Sequence, residues 1–139
     1  MSSISIMIVD NDQVNSFVLK NIITRNYSDA EISMFPDGAD AMDHLESLEN
    51  SKEEFPDVIL LDIYMPVMNG FEFLEKYTKK YPFKSTNVFA MSNSLSKEDQ
   101  QRANEFTVVK GFITKPLIYN NIQFIIDTYV EGRTSESDI

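Results

Sequence analysis

Cysteine is absent from this chain of 139 residues, which removes disulfides, thiolate metal sites and cysteine nucleophiles and suits a reducing compartment. Histidine occurs once, at His44, where it borders the apolar face of a helical pattern and is expected to be a solvated helix residue rather than a phosphoryl carrier. Positive charge is scarce: 12 Lys and Arg stand against 22 Asp and Glu, a formal net charge of −10. Such a surface repels phosphate backbones and anionic lipid, so nucleic acid and membrane are disfavoured as direct partners and a basic protein patch suits it better. The N-terminus has no basic stretch, and Asp10 interrupts its apolar run. Neither a signal peptide nor a membrane span is expected, and the default is a cytoplasmic protein. Internal repeats and low-complexity blocks are also lacking.

What remains is ordinary for a globular protein: hydrophobic residues make up 42% and charged residues 24% of the chain, so neither disorder nor a fibrous class is indicated. A chain of this length buries roughly 68–70% of its unfolded surface, enough for one core. The reading is a single domain over residues 1–131 with a polar, frayed tail over 132–139. Five strand-like runs alternate with helical patterns. They are Ile4 to Val9, Ala30 to Phe35, Val58 to Leu61, Val88 to Met91 and Gly111 to Thr114. In the first helix Val14, Phe17, Val18 and Ile22 fall at helical spacing behind Asp12, a candidate cap. Ala41, Leu45 and Leu48 mark the second helix, and Phe71, Leu74 and Tyr77 the third. The fourth, after Ser96, offers mainly Ala103 and Phe106, and is expected to be the least firmly anchored. Ile118, Ile122, Ile125, Ile126 and Tyr129 define the last. Polar residues 50–54 form a surface connection.

This alternation predicts an α/β domain: a five-stranded parallel sheet in flavodoxin-like order 2-1-3-4-5, flanked by five helices. Val58 to Leu61 is apolar without alternation, which suits a central strand buried on both faces. In that order Asp10, Asn11, Asp12, Asp62, Ser92 and Lys115 all lie at carboxyl ends of strands around one crevice. Clustered carboxylates need a cation or take up protons, because unit charges about 4 Å apart interact by about 4 kcal/mol at an effective dielectric near 20. Lys115 and Mg²⁺ would supply the positive charge, and a carboxylate so placed can accept a phosphoryl group by in-line attack.

The segments IMIVDND, VILLDIYMPVMNG, FAMSNS and GFITKP, in this order and spacing, resemble the response-regulator receiver domain of two-component signalling over nearly the whole chain. The resemblance implies that Asp62 is the phosphoacceptor and that Asp10, Asn11, Asp62 and the Tyr64 carbonyl bind Mg²⁺. It further implies Ser92 as the switch hydroxyl, Lys115 as the phosphoryl-binding lysine, Phe112 as the switching aromatic, and a Lys115-Pro116 bond of the kind that is commonly cis. The function it implies is a phosphorylation-controlled binding module that catalyses only its own phosphorylation and dephosphorylation. Its donor would be a histidine kinase or histidine phosphotransfer protein. Its readout would be a downstream protein meeting helix 96–106, strand 111–114 and helix 118–131. Only a short polar stretch follows the fifth unit, so a stand-alone receiver is expected.

Three departures carry expectations of their own. Asn11 stands where an acid is usual, which predicts weaker Mg²⁺ binding. Asn93 replaces a smaller residue and Tyr64 is bulky, which together predict slow dephosphorylation. Asp10-x-Asp12 after a strand also fits a haloacid-dehalogenase-like phosphatase with Asp10 as nucleophile and Asp12 as acid/base, although no cap domain or late paired-acid motif accompanies it. A degenerate receiver that binds partners without phosphorylation is the third reading.

Overall fold

The computed structural model describes residues 3–49, 55–82, 84–94 and 96–137; the connection expected over 50–54 lies outside them. Strands β1 (Ser5–Val9), β2 (Glu31–Phe35), β3 (Val58–Asp62), β4 (Asn87–Ser92) and β5 (Val109–Thr114) pair in parallel in the order 2-1-3-4-5. Helices α1 (Gln13–Asn26), α2 (Gly38–Glu49), α3 (Gly70–Lys80), α4 (Lys97–Asn104) and α5 (Tyr119–Ser137) complete the predicted alternation.

The strand period of two divides the core into two layers. Ile6, Ile8, Leu60 and Phe89 face one side and meet Leu19 and Ile23 of α1 with Ile122 and Ile125 of α5. Met7, Val9, Ile59 and Leu61 face the other and meet Ala41 and Leu45 of α2 with Phe73, Leu74 and Tyr77 of α3. Every residue of β3 is buried, as a strand covered by helices on both faces requires. Helix α4 buries only Ala103, beside Ile63, Phe71 and Ala90, with Phe106 and Phe112 packed against them. Its shallow seat matches the expectation.

Three expectations need correction. Val14, Phe17 and Val18 do not face the core: they are 74%, 58% and 47% exposed, and α1 buries Ser16, Leu19 and Ile23 instead. Polar pins set the rotation of this helix. The Asp12 carboxylate accepts from Asn15 N at 3.0 Å, and Asn15 Nδ2 donates to Asp10 Oδ2 at 3.0 Å. These bonds hold Asn15 toward the sheet end and bring Ser16, Leu19 and Ile23 over the sheet. Ile118 precedes α5 and is 56% exposed, while Ile122, Ile125, Ile126 and Tyr129 are buried as expected. Finally, α5 runs on through Ser137, so residues 132–137 continue the last helix rather than forming a frayed tail.

Candidate functional site

Parallel pairing sets the carboxyl ends of β1, β3, β4 and β5 along one edge, with Asp62 beside Met91 and Ser92 beside Thr114. Asp10, directly after β1, and Asp62, the last residue of β3, are both buried there, at 0% and 4% exposed. Lys115 follows β5 and reaches back across the sheet. Its Nζ lies 2.9 Å from Asp10 Oδ2 and 3.3 Å from Asp62 Oδ2. Its backbone N–H donates to Ser92 O at 2.8 Å, which ties the β4 and β5 ends together. The Lys115-Pro116 peptide is cis.

The local chain is shaped to hold these groups. Asp10 Oδ1 accepts from Asp12 N at 2.9 Å, and Gln13 Nε2 donates to Asp10 O at 3.0 Å. Asp62 Oδ1 accepts from Tyr64 N at 3.2 Å. The loop after β3 closes tightly, with Gly70 N donating to Ile63 O at 2.8 Å and α3 opening in a capping box between Asn69 and Glu72. Gly70 is required by space: a Cβ there would lie 2.8 Å from both Asp62 O and Ile63 Cα. Within the loop Val67 has φ 69°, a left-handed conformation costly for a β-branched residue.

Electrostatics follow from this burial. Desolvation, with the Asp10 charge adding to it, pushes the Asp62 carboxyl up to about 6 against the opposing pull of Lys115. For Lys115 burial pulls downward, but the hydrogen bond and charge of Asp10, with Asp62 contributing, outweigh it and the ammonium is raised. The cluster is thus one cation between two buried acids.

The remaining sequence-derived positions divide. Ser92 is buried at the same edge, and its Oγ accepts from Ser94 N at 3.2 Å, which leaves its own proton available to another acceptor. Phe112 is half-buried against Ile63, Phe71, Ala90 and Ala103. Asn11 is exposed. Tyr64 follows the β3 end, but its phenol turns to α4 and donates to the Asp99 carboxylate. Asp12 is an exposed helix cap, which leaves the phosphatase reading without its acid/base. Sequence reasoning missed Asn15 and Gln13, which brace Asp10; both sit on a helical turn after the acids, and nothing in their types distinguishes them from solvated residues. The donor set is hard oxygen without thiolate or imidazole, and among the described residues no group of three or more His, Cys, Asp or Glu surrounds a metal-sized space. Two carboxylates suit an ion that keeps much of its water, as Mg²⁺ does.

Comparison with known proteins bears on the family and the fold. A protein-glutamate methylesterase/protein-glutamine glutaminase of Pyrococcus abyssi is 32% identical over 81% of this chain, which spans 28% of that protein's length. The sensor histidine kinase CheAY of Helicobacter pylori is 34% identical over 58% of this chain and 10% of its own. A two-component response regulator from Cytophaga hutchinsonii superposes with a TM-score of 0.85 at 25% identity, covering 94% of this chain and 99% of that one. A CheY-like receiver domain protein from Methanospirillum hungatei superposes at 0.78 with 24% identity, over 97% and 99% of the two chains. The family model for the response regulator receiver domain matches residues 6–127, from within β1 into α5, and the chain belongs to that family of signalling modules.

Proposed function

We propose that Asp62 accepts a phosphoryl group from a phosphohistidine donor and that the modified domain changes the face it offers to a protein partner. The observation that carries this is Lys115 bridging Asp10 and Asp62 at 2.9 and 3.3 Å, a preassembled cation beside a buried carboxylate. With its carboxyl held up to about 6, Asp62 is mostly ionised near neutral pH and is nucleophilic there. An Asp62 oxygen attacks phosphorus in line while the donor's imidazole nitrogen leaves with the bonding electrons. Lys115 then neutralises a phosphoryl oxygen and Ser92 donates its proton in a hydrogen bond to another. Asp10, Asp62 and the Tyr64 carbonyl would hold Mg²⁺, with Asn11 as a weak carbonyl donor. When bound, the ion supplies charge neutralisation at the phosphoryl oxygens.

Val14, Phe17 and Val18 form an exposed apolar strip on the helix that opens beside Asp10, a suitable landing for a histidine kinase or phosphotransfer protein. On the opposite flank, drawing Ser92 toward the phosphoryl group pulls on the lightly anchored α4, with Phe112 repacking beside Ala103. On this reading the downstream interface is α4, β5 and α5. Incubation with Mg²⁺ and acetyl phosphate, followed by mass mapping, is expected to place one phosphoryl group on Asp62 and none on an Asp62→Asn variant. Labelling at Asp10, or steady release of phosphate from a phosphoester, would overturn the assignment. No label at all with a competent donor would favour a receiver that works unmodified. An Asn93→Ala variant is expected to shorten the phosphoryl half-life.

A further inference from the structure

We propose that the Tyr64 phenol and the Asp99 carboxylate form a latch that holds α4 against the junction from β3 to α3, and that the latch opens when Asp62 carries a phosphoryl group. The opening step rests on Asp62 being the phosphoacceptor; the closed latch does not.

The shallow seat of α4 makes its few ties to the rest of the fold decisive. Ala103 is its one buried residue, and among the described residues no ion pair reaches it. One side-chain hydrogen bond crosses to it among those residues, from the Tyr64 hydroxyl to Asp99 Oδ2. A cation stacks on the same flank: the Arg102 guanidinium lies 4.2 Å from the centre of the Phe71 ring. Asp99 and Arg102 are three residues apart and so share a face of α4. Tyr64 and Phe71 both belong to the short stretch that leaves Asp62 and enters α3. The helix is therefore tied to that stretch as well as to Ala90 of β4, beside which Ala103 packs. Tyr64 is 59% exposed, so its hydroxyl, not burial of its ring, fixes where it lies. Asp99 sits in the first turn of α4, and its own N–H donates to the capping Ser96 Oγ at 3.3 Å. A pull on its carboxylate is thus a pull on the start of the helix.

Asp62 and Tyr64 are already coupled. Tyr64 N donates to Asp62 Oδ1 at 3.2 Å, while Asp62 Oδ2 faces the Lys115 ammonium at 3.3 Å. Oδ1 is then the oxygen left to attack. As its bond to phosphorus forms, the donor's nitrogen–phosphorus bond breaks with the electron pair leaving on the imidazole, and Oδ1 becomes an ester-like oxygen with little charge. A hydrogen bond to such an oxygen is weaker than one to a carboxylate. The Tyr64 peptide, with the phosphoryl group now beside it, shifts and carries the phenol away from Asp99. Helix α4 keeps Ala103 and the Arg102 contact alone, and is free to move.

The test is hydrogen exchange of the α4 amides in the full chain. Asp99→Ala and Tyr64→Phe are each expected to speed that exchange about fivefold, the modest worth of one exposed hydrogen bond, and the double variant no more than either alone. Glu98→Ala, which removes a neighbouring acid from the same helical turn, is expected to change it little. With Mg²⁺ and acetyl phosphate in excess, α4 of the parent should speed up by a similar factor. Asp99→Ala, labelled at Asp62 as fully as the parent, should show little further change. Effects that add in the double variant, or a Glu98→Ala effect as large as that of Asp99→Ala, would overturn the latch. A labelled parent with unchanged α4 exchange would overturn its opening. An unlabelled Asp62 in the parent would instead overturn the phosphoacceptor reading and the opening with it, while the double variant still decides the closed latch.

Discussion

The Asp62 carboxyl titrates at about 6 in the folded chain against an ordinary 3.8. The consequence for stability has a definite sign. Below pH 3.8 both folded and unfolded chains hold the proton, and the group is neutral in its effect. Between about 4 and 6 the folded chain keeps a proton that the unfolded chain has released, so raising the pH through that window removes stability. Above it the cost is constant. With metal withheld by chelator, Asp62→Asn is therefore expected to melt at a higher temperature than the parent at pH 7.5, the gap closing near pH 4. A gap that is equal at both values would show that the buried charge is not responsible. Val67 gives a second residue-scale expectation. Its side chain is 87% exposed and its φ is 69°, so Val67→Asn relieves backbone strain without loss of packing. A gain of about 1 kcal/mol in chemical unfolding is expected, and no gain would mean that the loop relaxes without cost. Of these residues the acids, the serine and the lysine were legible in the sequence because each ends an apolar run. Asn15 and Val67 were not, since an amide's partner and a backbone angle are set by the neighbouring chain.

At the scale of elements, the junction from β3 to α3 is the most constrained part of the site. The missing side chain at Gly70 lets α3 start against the Asp62 carbonyl, and a methyl group 2.8 Å from two backbone atoms must push the loop away. Gly70→Ala is expected to cost about 1–3 kcal/mol in equilibrium unfolding and to slow labelling of Asp62 as well. Normal labelling with normal stability would show that the loop can yield. Helix α4 lies at the other extreme, with Ala103 its one buried residue. Its amides are expected to exchange faster than those of α3, measured by hydrogen exchange, because few apolar contacts resist local opening. The sequence foretold this weakness from the shortage of apolar residues after Ser96. Its error lay in α1, where helical spacing alone selected Val14, Phe17 and Val18. Polar bonds from Asp12 and Asn15 outweighed hydrophobic spacing there and turned that strip toward solvent.

For the molecule as a whole, the two edges of the sheet differ: buried acids around Lys115 lie at one, and a cavity lined by residues of both charges lies at the other. Mg²⁺ binding to the acidic edge of the folded state alone should stabilise the entire domain, by about 2.7 kcal/mol at a hundredfold excess over its Kd. Thermal unfolding with and without Mg²⁺ measures this, and Asn11→Asp is expected to reach the same gain at lower Mg²⁺ concentration. An unchanged melting temperature in both proteins would remove the ion from the account. By itself the chain determined its class, its strand order and the acids, hydroxyl and amine that end its strands, because apolar runs and turn residues are local signals read directly from residue order. Tertiary structure alone decided which face α1 buries, how far α5 extends, and that one ammonium lies between two particular carboxylates. These depend on distances between segments far apart in the chain, and only packing across the sheet sets such distances.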